Sequence, residues 1–143
     1  QTKTPRTVFY LYPATGVPGI PLPDGWDGIP GARGCTPQSC AFRDHAAQLH
    51  ELGATIFGVS RQSTETQAEA AQRLRLPFPL LSDAAGALTE ALRLPTFAIG
   101  ETRYLKRLTL IVRNGVIEHV FYPVFPPDRN AEDVVAWLVS HAL

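Results

Sequence analysis

An α/β fold with a central mixed β-sheet is the architecture the sequence predicts, on three observations. Short β-rich runs alternate with helix-periodic runs through the first half of the chain, the order of parallel strands joined by crossover helices. Asn114-Gly115 then joins two further β-rich runs, and this dipeptide suits a tight antiparallel hairpin because both central residues adopt positive φ. An amphipathic helix closes the chain.

Thr7-Val8-Phe9-Tyr10-Leu11-Tyr12 is rich in aromatic residues and reads as a central strand. A strand so close to the start predicts further residues ahead of Gln1 in the natural chain. Residues 13–34 carry Pro13, Gly16, Pro18, Gly19, Pro21, Pro23, Gly25, Gly28, Pro30, Gly31 and Gly34, a density that neither helix nor strand survives. A loop this long inside a compact domain is uncommon and often functional, and this one leads directly to Cys35. It either shapes a substrate site or is a passive insertion anchored by Trp26 and Ile29.

Thr36 then reads as an N-cap and Pro37 fits the first helical turn. Ala41, Phe42, Ala46, Leu49 and Leu52 follow at helical spacing until Gly53 ends the run. Residues 54–60 form a second strand and residues 64–74 a second helix. Pro77-Phe78-Pro79-Leu80-Leu81 predicts a short buried segment, Ser82 or Asp83 caps a helix through Leu92, and Pro95 forces extension near Thr96-Phe97. Tyr104 to Val112 and Val116 to Tyr122 are the hairpin strands. Asn130, with Asp133 three residues on, opens the last helix in the manner of a capping box; Val134, Val135, Leu138 and Val139 form its buried face, with Trp137 in the core.

Length and composition fit one domain over residues 1–143, without repeats. Thirteen Lys plus Arg balance thirteen Asp plus Glu without a basic block, which argues against nucleic-acid or anionic-lipid partners. No apolar run approaches the roughly 18 residues of a membrane span, and the first residues lack a signal peptide's apolar stretch, so a cytoplasmic protein is expected. His45, His50, His119 and His141 are scattered without metal-ligand spacing, and no metal or other cofactor is expected.

The two cysteines, Cys35 and Cys40, lie with four residues between them at the opening of the first helix. A thiol at a helix start is electrostatically activated by the free N–H groups there. A regular helix sets residues five apart at roughly 8 to 9 Å between Cα atoms, whereas a disulfide needs less than about 7 Å. The pair can therefore bond only if the first turns unwind, so oxidation and a local conformational change are coupled. A bridge over so short a loop restricts the unfolded chain by only about 2 kcal/mol, comparable to the cost of the broken turns. This is the arithmetic of a redox cycle rather than of a structural staple.

Parallel strands, a hairpin and a final helix, with a cysteine at a strand-to-helix junction, follow the order of a thioredoxin-like domain, a three-layer sandwich around its central mixed sheet. Within such domains the chain resembles the peroxiredoxins, specifically the Q-type group also called bacterioferritin comigratory proteins. Gly34-Cys35-Thr36-Pro37-Gln38-Ser39-Cys40 with Phe42-Arg43-Asp44 resembles that group's cysteine-pair signature. Phe78-Pro79-Leu80-Leu81-Ser82-Asp83 resembles its Leu-Leu-Ser-Asp segment, and Arg107-Leu108-Thr109-Leu110-Ile111-Val112 with Asn114-Gly115 its arginine-bearing strand and hairpin. Glu118-His119-Val120-Phe121 also fits.

The resemblance implies a thiol peroxidase in which Cys35 is peroxidatic, Cys40 resolving and Arg107 the activating cation. It implies hydrogen peroxide or small organic hydroperoxides as substrate, a thioredoxin- or glutaredoxin-like reductant, and a monomer or weak homodimer, since resolution is internal. Three departures stand out. Ala32 occupies the place of the family's peroxide-orienting Thr, leaving Thr15, Thr36, a backbone group or water to serve instead. The Pro/Gly-rich segment separates Pro13 from Cys35, and the family's N-terminal β-segment is missing ahead of Thr7.

Chemistry explains the residue types. Peroxide reduction needs a thiolate and a site that stabilises the departing oxygen. At an ordinary pKa near 8.5 only about 3% of a cysteine is thiolate at pH 7, and lowering the pKa to about 6 takes roughly 3.4 kcal/mol. A helix dipole supplies about 0.3 to 2 kcal/mol. A guanidinium is the natural source of the rest and also polarises the O–O bond. Arg43 and Asp44 are read as ion-pairing groups that steady the helix, with Arg43 a secondary candidate for tuning Cys35. Two other classes fit a thioredoxin-like fold: thiol-disulfide exchange on protein substrates, and a redox-sensing module whose 13–34 segment binds a partner.

Overall fold

Alternation along the first strand sets the layers. In the computed structural model, which describes residues 5–16, 19–29 and 32–142, β1 (Arg6–Leu11) lies at the centre of a five-stranded sheet. Pro18, Pro30 and Gly31 of the Pro/Gly-rich segment lie outside the described residues. Tyr10 and Val8 face one side, together with Tyr12 just beyond the strand, and Phe9 and Leu11 face the other, as a period of two requires.

The remaining elements follow in chain order: α1 (Cys35–Asp44), α2 (Ala46–Glu51), β2 (Ala54–Ser60), α3 (Thr64–Arg73), β3 (Leu80–Ser82), α4 (Ala87–Leu92), β4 (Thr96–Ile99), β5 (Thr102–Leu105), β6 (Leu108–Arg113), β7 (Val116–Phe121) and α5 (Asn130–Ser140). The sheet order is β3-β2-β1-β6-β7. β1, β2 and β3 run parallel, whereas β6 and β7 are antiparallel to their neighbours, giving the mixed sheet expected.

On one face Val8, Tyr10, Tyr12, Ile56, Leu80 and Ile111 pack against Phe42 and Leu49 of α1 and α2, Ala70 of α3, and Ala131, Val134 and Leu138 of α5. On the other, Leu11, Val59, Leu108 and Leu110 meet Leu105, with Leu88 of α4 at the margin. Two layers around one sheet complete the three-layer sandwich. Gly58 of β2 is required by this packing: a Cβ there would stand 2.5 Å from Leu80 and 2.7 Å from the Tyr10 ring. Tyr10 stacks on Phe42 with centroids 4.5 Å apart and shares a hydrogen bond of 2.9 Å with Ser39, fastening α1 to the central strand.

Several elements depart from the sequence expectation. The single helix expected over 36–52 is broken at His45, whose ring Nδ1 lies 2.8 Å from the Ala41 carbonyl and competes for it with the backbone. Helix α1 is capped not by Thr36 but by Gly34, at φ +101°, so Cys35 is its first residue. A Cβ at Gly34 would lie 2.6 Å from Pro127, which makes glycine necessary on two counts.

The strand expected over 104–112 is two strands. Leu105 and Leu108 are both buried in the second core, and residues three apart cannot face one side of a straight strand. The chain turns between them: β5 pairs with β4 in a separate hairpin, and β6 joins the main sheet. Along residues 77–81 only Phe78 and Leu80 are buried, and Leu81 faces outward. Among its described residues the 13–34 segment holds one 3-10 turn, at Trp26–Gly28. Trp26 is buried, its ring 5.0 Å from Tyr104 and 5.9 Å from Phe97, so it anchors the segment to the β4–β5 hairpin; Ile29 is half-buried.

Asp83 holds α4 through its carboxylate, which accepts from the N–H groups of Leu88 and Thr89, both at 2.9 Å, and from the Thr89 hydroxyl. At α5 no capping box forms, because Arg129 precedes the helix without a side-chain cap and Asn130 turns inward. Val139 is 57% exposed, since Ala131, Val134 and Leu138 already define the buried stripe. Trp137 is half-buried rather than core: it stacks on His119 and His141, and the Arg6 guanidinium lies 5.1 Å from its ring.

Candidate active site

Cys35 sits at the start of α1 directly beneath the end of β1, and its sulfur is buried. Between β5 and β6 the chain turns so that Arg107 points inward, and its guanidinium donates to Cys35 Sγ at 3.0 Å. The same group donates to the Arg33 carbonyl at 3.0 Å and the Ala32 carbonyl at 3.4 Å, on the approach to the helix. The geometry thus brings together Cys35 and Arg107, residues 72 positions apart in sequence.

The electrostatics are divided. Burial pushes the Cys35 thiol up; the charge and N–H of Arg107, the backbone N–H of Ala14 and the residue's own N–H all pull it down, and the balance lies upward. The sequence, which offers the helix start and the arginine but not the burial, predicts a lowered value. These donors favour the thiolate; burial opposes it and prevails, and the protonated thiol donates to the Ala32 carbonyl at 3.7 Å, a bond that ionisation gives up. Burial likewise raises the hydroxyls of Tyr10 and Tyr12, which stay protonated; Tyr12 donates to Gln67 Oε1 and Tyr10 shares a hydrogen bond with Ser39.

Cys40 lies one and a half turns along α1, half-buried, and both cysteines are free thiols. Helix α1 runs unbroken through both residues. Arg43 donates to the Leu74 carbonyl at 2.9 Å and to Asp44 at 3.1 Å, contacts that tie it away from Cys35.

Gln38 and Asn130, to which sequence reasoning gave no site role, join the site. Gln38, wholly buried one turn after Cys35, accepts from Arg107 through Oε1 and donates through Nε2 to Asn130 Oδ1 at 3.0 Å. Thr109 donates to the same Asn130 oxygen at 2.6 Å. The i,i+3 spacing of Cys35 and Gln38 places both on one helix face, which was the available signal for Gln38.

A cavity of about 210 Å3 opens at the sulfur, walled by Ala14, Leu22, Trp26, Ala32, Thr36 and Pro37 among others. Leu22 and Trp26 come from the Pro/Gly-rich segment, which therefore shapes this cavity. Of the two hydroxyls that could stand in at Ala32, Thr36 lines the cavity. The Thr15 hydroxyl instead donates to Gln62 Oε1 at 3.4 Å, beside its N–H on the same oxygen at 3.0 Å.

A family model described as redoxin matches residues 1–135. The chain belongs to the redoxin family. This redoxin is similar to the chloroplastic peroxiredoxin Q of Sedum lineare, 30% identical over 96% of the chain and 66% of the relative, and to that of Suaeda salsa, 28% identical over 96% and 57%. It thus spans between half and two thirds of the length of these curated relatives. Among solved structures it is similar to the peroxidoxin BcpB of Mycobacterium tuberculosis, with a TM-score of 0.76 and 27% identity over 96% of this chain and 80% of that one. The Xanthomonas campestris peroxiredoxin Q shares the fold, with a TM-score of 0.77 and 24% identity over 98% and 81%. These likenesses agree with the resemblance that its cysteine-pair signature carries to the Q-type peroxiredoxin and bacterioferritin comigratory protein group. Among the described residues no helix is long and apolar enough to cross a membrane.

Proposed function

We propose that this redoxin is a thiol-dependent peroxidase in which Cys35 attacks hydrogen peroxide or a small organic hydroperoxide. The observation that carries the reading is the 3.0 Å contact between Cys35 Sγ and the Arg107 guanidinium beside a cavity of about 210 Å3 that opens on the sulfur. In the first step the thiolate sulfur bonds to one peroxide oxygen as the O–O bond breaks, leaving Cys35 as a sulfenic acid. The departing alkoxide or hydroxide takes a proton and leaves as alcohol or water. Arg107 stabilises negative charge first on sulfur and then on the departing oxygen, a planar donor aimed where charge develops.

Burial makes the thiolate conditional. A polar peroxide entering beside Thr36 and the Ala14 N–H restores part of the solvation that the closed site withholds, so ionisation and substrate entry favour each other. The apolar walls at Leu22, Trp26 and Ala32 accept an alkyl substituent, which supports organic hydroperoxides alongside hydrogen peroxide.

In the second step Cys40 condenses with the sulfenic acid, forming an intramolecular disulfide and releasing water. Regular helix between the two sulfurs requires α1 to unwind first. A thioredoxin- or glutaredoxin-like dithiol then exchanges with the disulfide, restoring both thiols as it becomes oxidised itself. No second chain is needed, which fits a monomer or weak homodimer. The test is peroxide consumption under a dithiol reductant for wild type, Cys35→Ser and Cys40→Ser. Cys35→Ser abolishes turnover and Cys40→Ser stalls after one sulfenic acid; insulin reduction faster than peroxide consumption would overturn the reading.

A further inference from the structure

We propose that Asn130 is a positioning residue for this reaction, acting on Arg107 by fixing which way the Gln38 amide points. The inference rests on the role of Arg107 given above. A glutamine side chain carries an acceptor oxygen and a donor NH2 group in nearly the same shape, so a half-turn exchanges them at little steric cost. Arg107 has only donors to offer. Gln38 therefore anchors the guanidinium only when Oε1 faces it, and something must hold the amide in that sense.

Asn130 does so. Its Oδ1 receives Gln38 Nε2 at 3.0 Å and the Thr109 hydroxyl at 2.6 Å, all three side chains being buried. With Nε2 committed to Asn130, Oε1 is left facing Arg107, which donates to it. The reverse setting, with both amides turned, would put the Gln38 NH2 against the guanidinium, donor against donor. One self-consistent arrangement thus runs from Thr109 of β6 through Asn130 of α5 and Gln38 of α1 to Arg107 and Cys35.

Deleting the acceptor at 130 leaves the buried Nε2 without that partner. The amide then turns toward other oxygens, and the Nη1 end of the Arg107 fork loses its Gln38 acceptor while Nη2 keeps the Arg33 and Ala32 carbonyls. Because Gln38 sits between the two cysteines, the same link ties the folded state of α1 to the first turn of α5.

The experiment measures kcat/KM for hydrogen peroxide on the high-pH plateau, where thiol ionisation no longer limits, with a thermal melt for each variant. Asn130→Ala is expected to lose about tenfold, the scale of one hydrogen bond to a charged group. Adding Gln38→Glu to that variant is expected to recover activity to within about threefold of wild type, because a carboxylate presents an oxygen to Arg107 in either orientation. Asn130→Asp keeps an acceptor oxygen for both donors and is expected to stay within about threefold on that plateau.

A loss below about twofold in Asn130→Ala overturns the proposal, as does a larger loss that Gln38→Glu fails to rescue in a protein that melts normally. Should Asn130→Ala fail to fold, Asn130→Asp decides: a tenfold loss without a fall in melting temperature overturns it. If Arg107→Ala costs activity and Asn130→Ala does not, this inference alone fails; if Arg107→Ala is harmless, the role given to Arg107 fails with it.

Discussion

Replacing Arg107 by alanine removes the main group opposing the desolvation of Cys35. The guanidinium lies 3.0 Å from Sγ, and both its charge and its hydrogen bond pull the thiol's titration down against burial. An opposite charge at such range is worth about 1 to 3 pKa units, equivalent to roughly 1.4 to 4 kcal/mol. Because burial already holds the thiol high, the thiolate is a minor species at pH 7, and each further unit lowers it tenfold. Arg107→Ala is therefore expected to slow thiolate-dependent reactions of Cys35 by about 10- to 1000-fold at pH 7. The cleanest assay is the pH profile of iodoacetamide alkylation in a Cys40→Ser background, where Cys35 alone reacts. The profile should move to higher pH, and Arg107→Lys, which keeps the charge but loses the fork, should fall between. A profile that superimposes on that of the parent would refute the reasoning.

Other consequences can be checked alongside. Tyr10→Phe removes the hydrogen bond to Ser39 that fastens α1, worth about 1 kcal/mol, and is expected to speed disulfide formation after peroxide by up to about fivefold, read by stopped-flow fluorescence. Asp83→Ala removes the carboxylate that holds the start of α4, costing about 1 kcal/mol in denaturant unfolding. Burial raises the Asp83 carboxyl, but the Thr89 hydroxyl and the N–H groups of Leu88 and Thr89 outweigh it and the net direction is down. Its contribution is therefore present above the ordinary carboxylate range and is lost as pH falls through the lowered folded value, so acid should destabilise wild type relative to the variant. Trp26→Ala opens the cavity wall and should lower kcat/KM for cumene hydroperoxide more than for hydrogen peroxide; equal losses would show that the wall does not select.

The layers of the fold were legible because Thr7 to Tyr12 is an unbroken β-rich run, the mark of a central strand, and Asn114-Gly115 marks its hairpin. The break at Lys106-Arg107 was not, since Tyr104 to Val112 is uniformly β-rich and only the burial of both Leu105 and Leu108 exposes the turn. Gly34 rather than Thr36 caps α1 because Pro127, far along the chain, closes on that position. The meeting of Cys35 with Arg107 was legible through chemistry and through the resemblance to a known family. Gln38 and Asn130 were not, because a polar residue on a helix reads as solvated until tertiary packing buries it. The balance at Cys35 was hidden for the same reason: desolvation is a property of the assembled core, and local sequence reports only the helix start and the cation.

The most direct test of the central claim treats fully reduced protein with one equivalent of hydrogen peroxide, counts thiols and maps the linkage by mass spectrometry. The account predicts loss of both thiols in a single intrachain Cys35–Cys40 disulfide, with α1 signals altered, and a trapped sulfenic acid at Cys35 in Cys40→Ser. Two thiols surviving the oxidant, or a bond between chains in place of one within the chain, would contradict it.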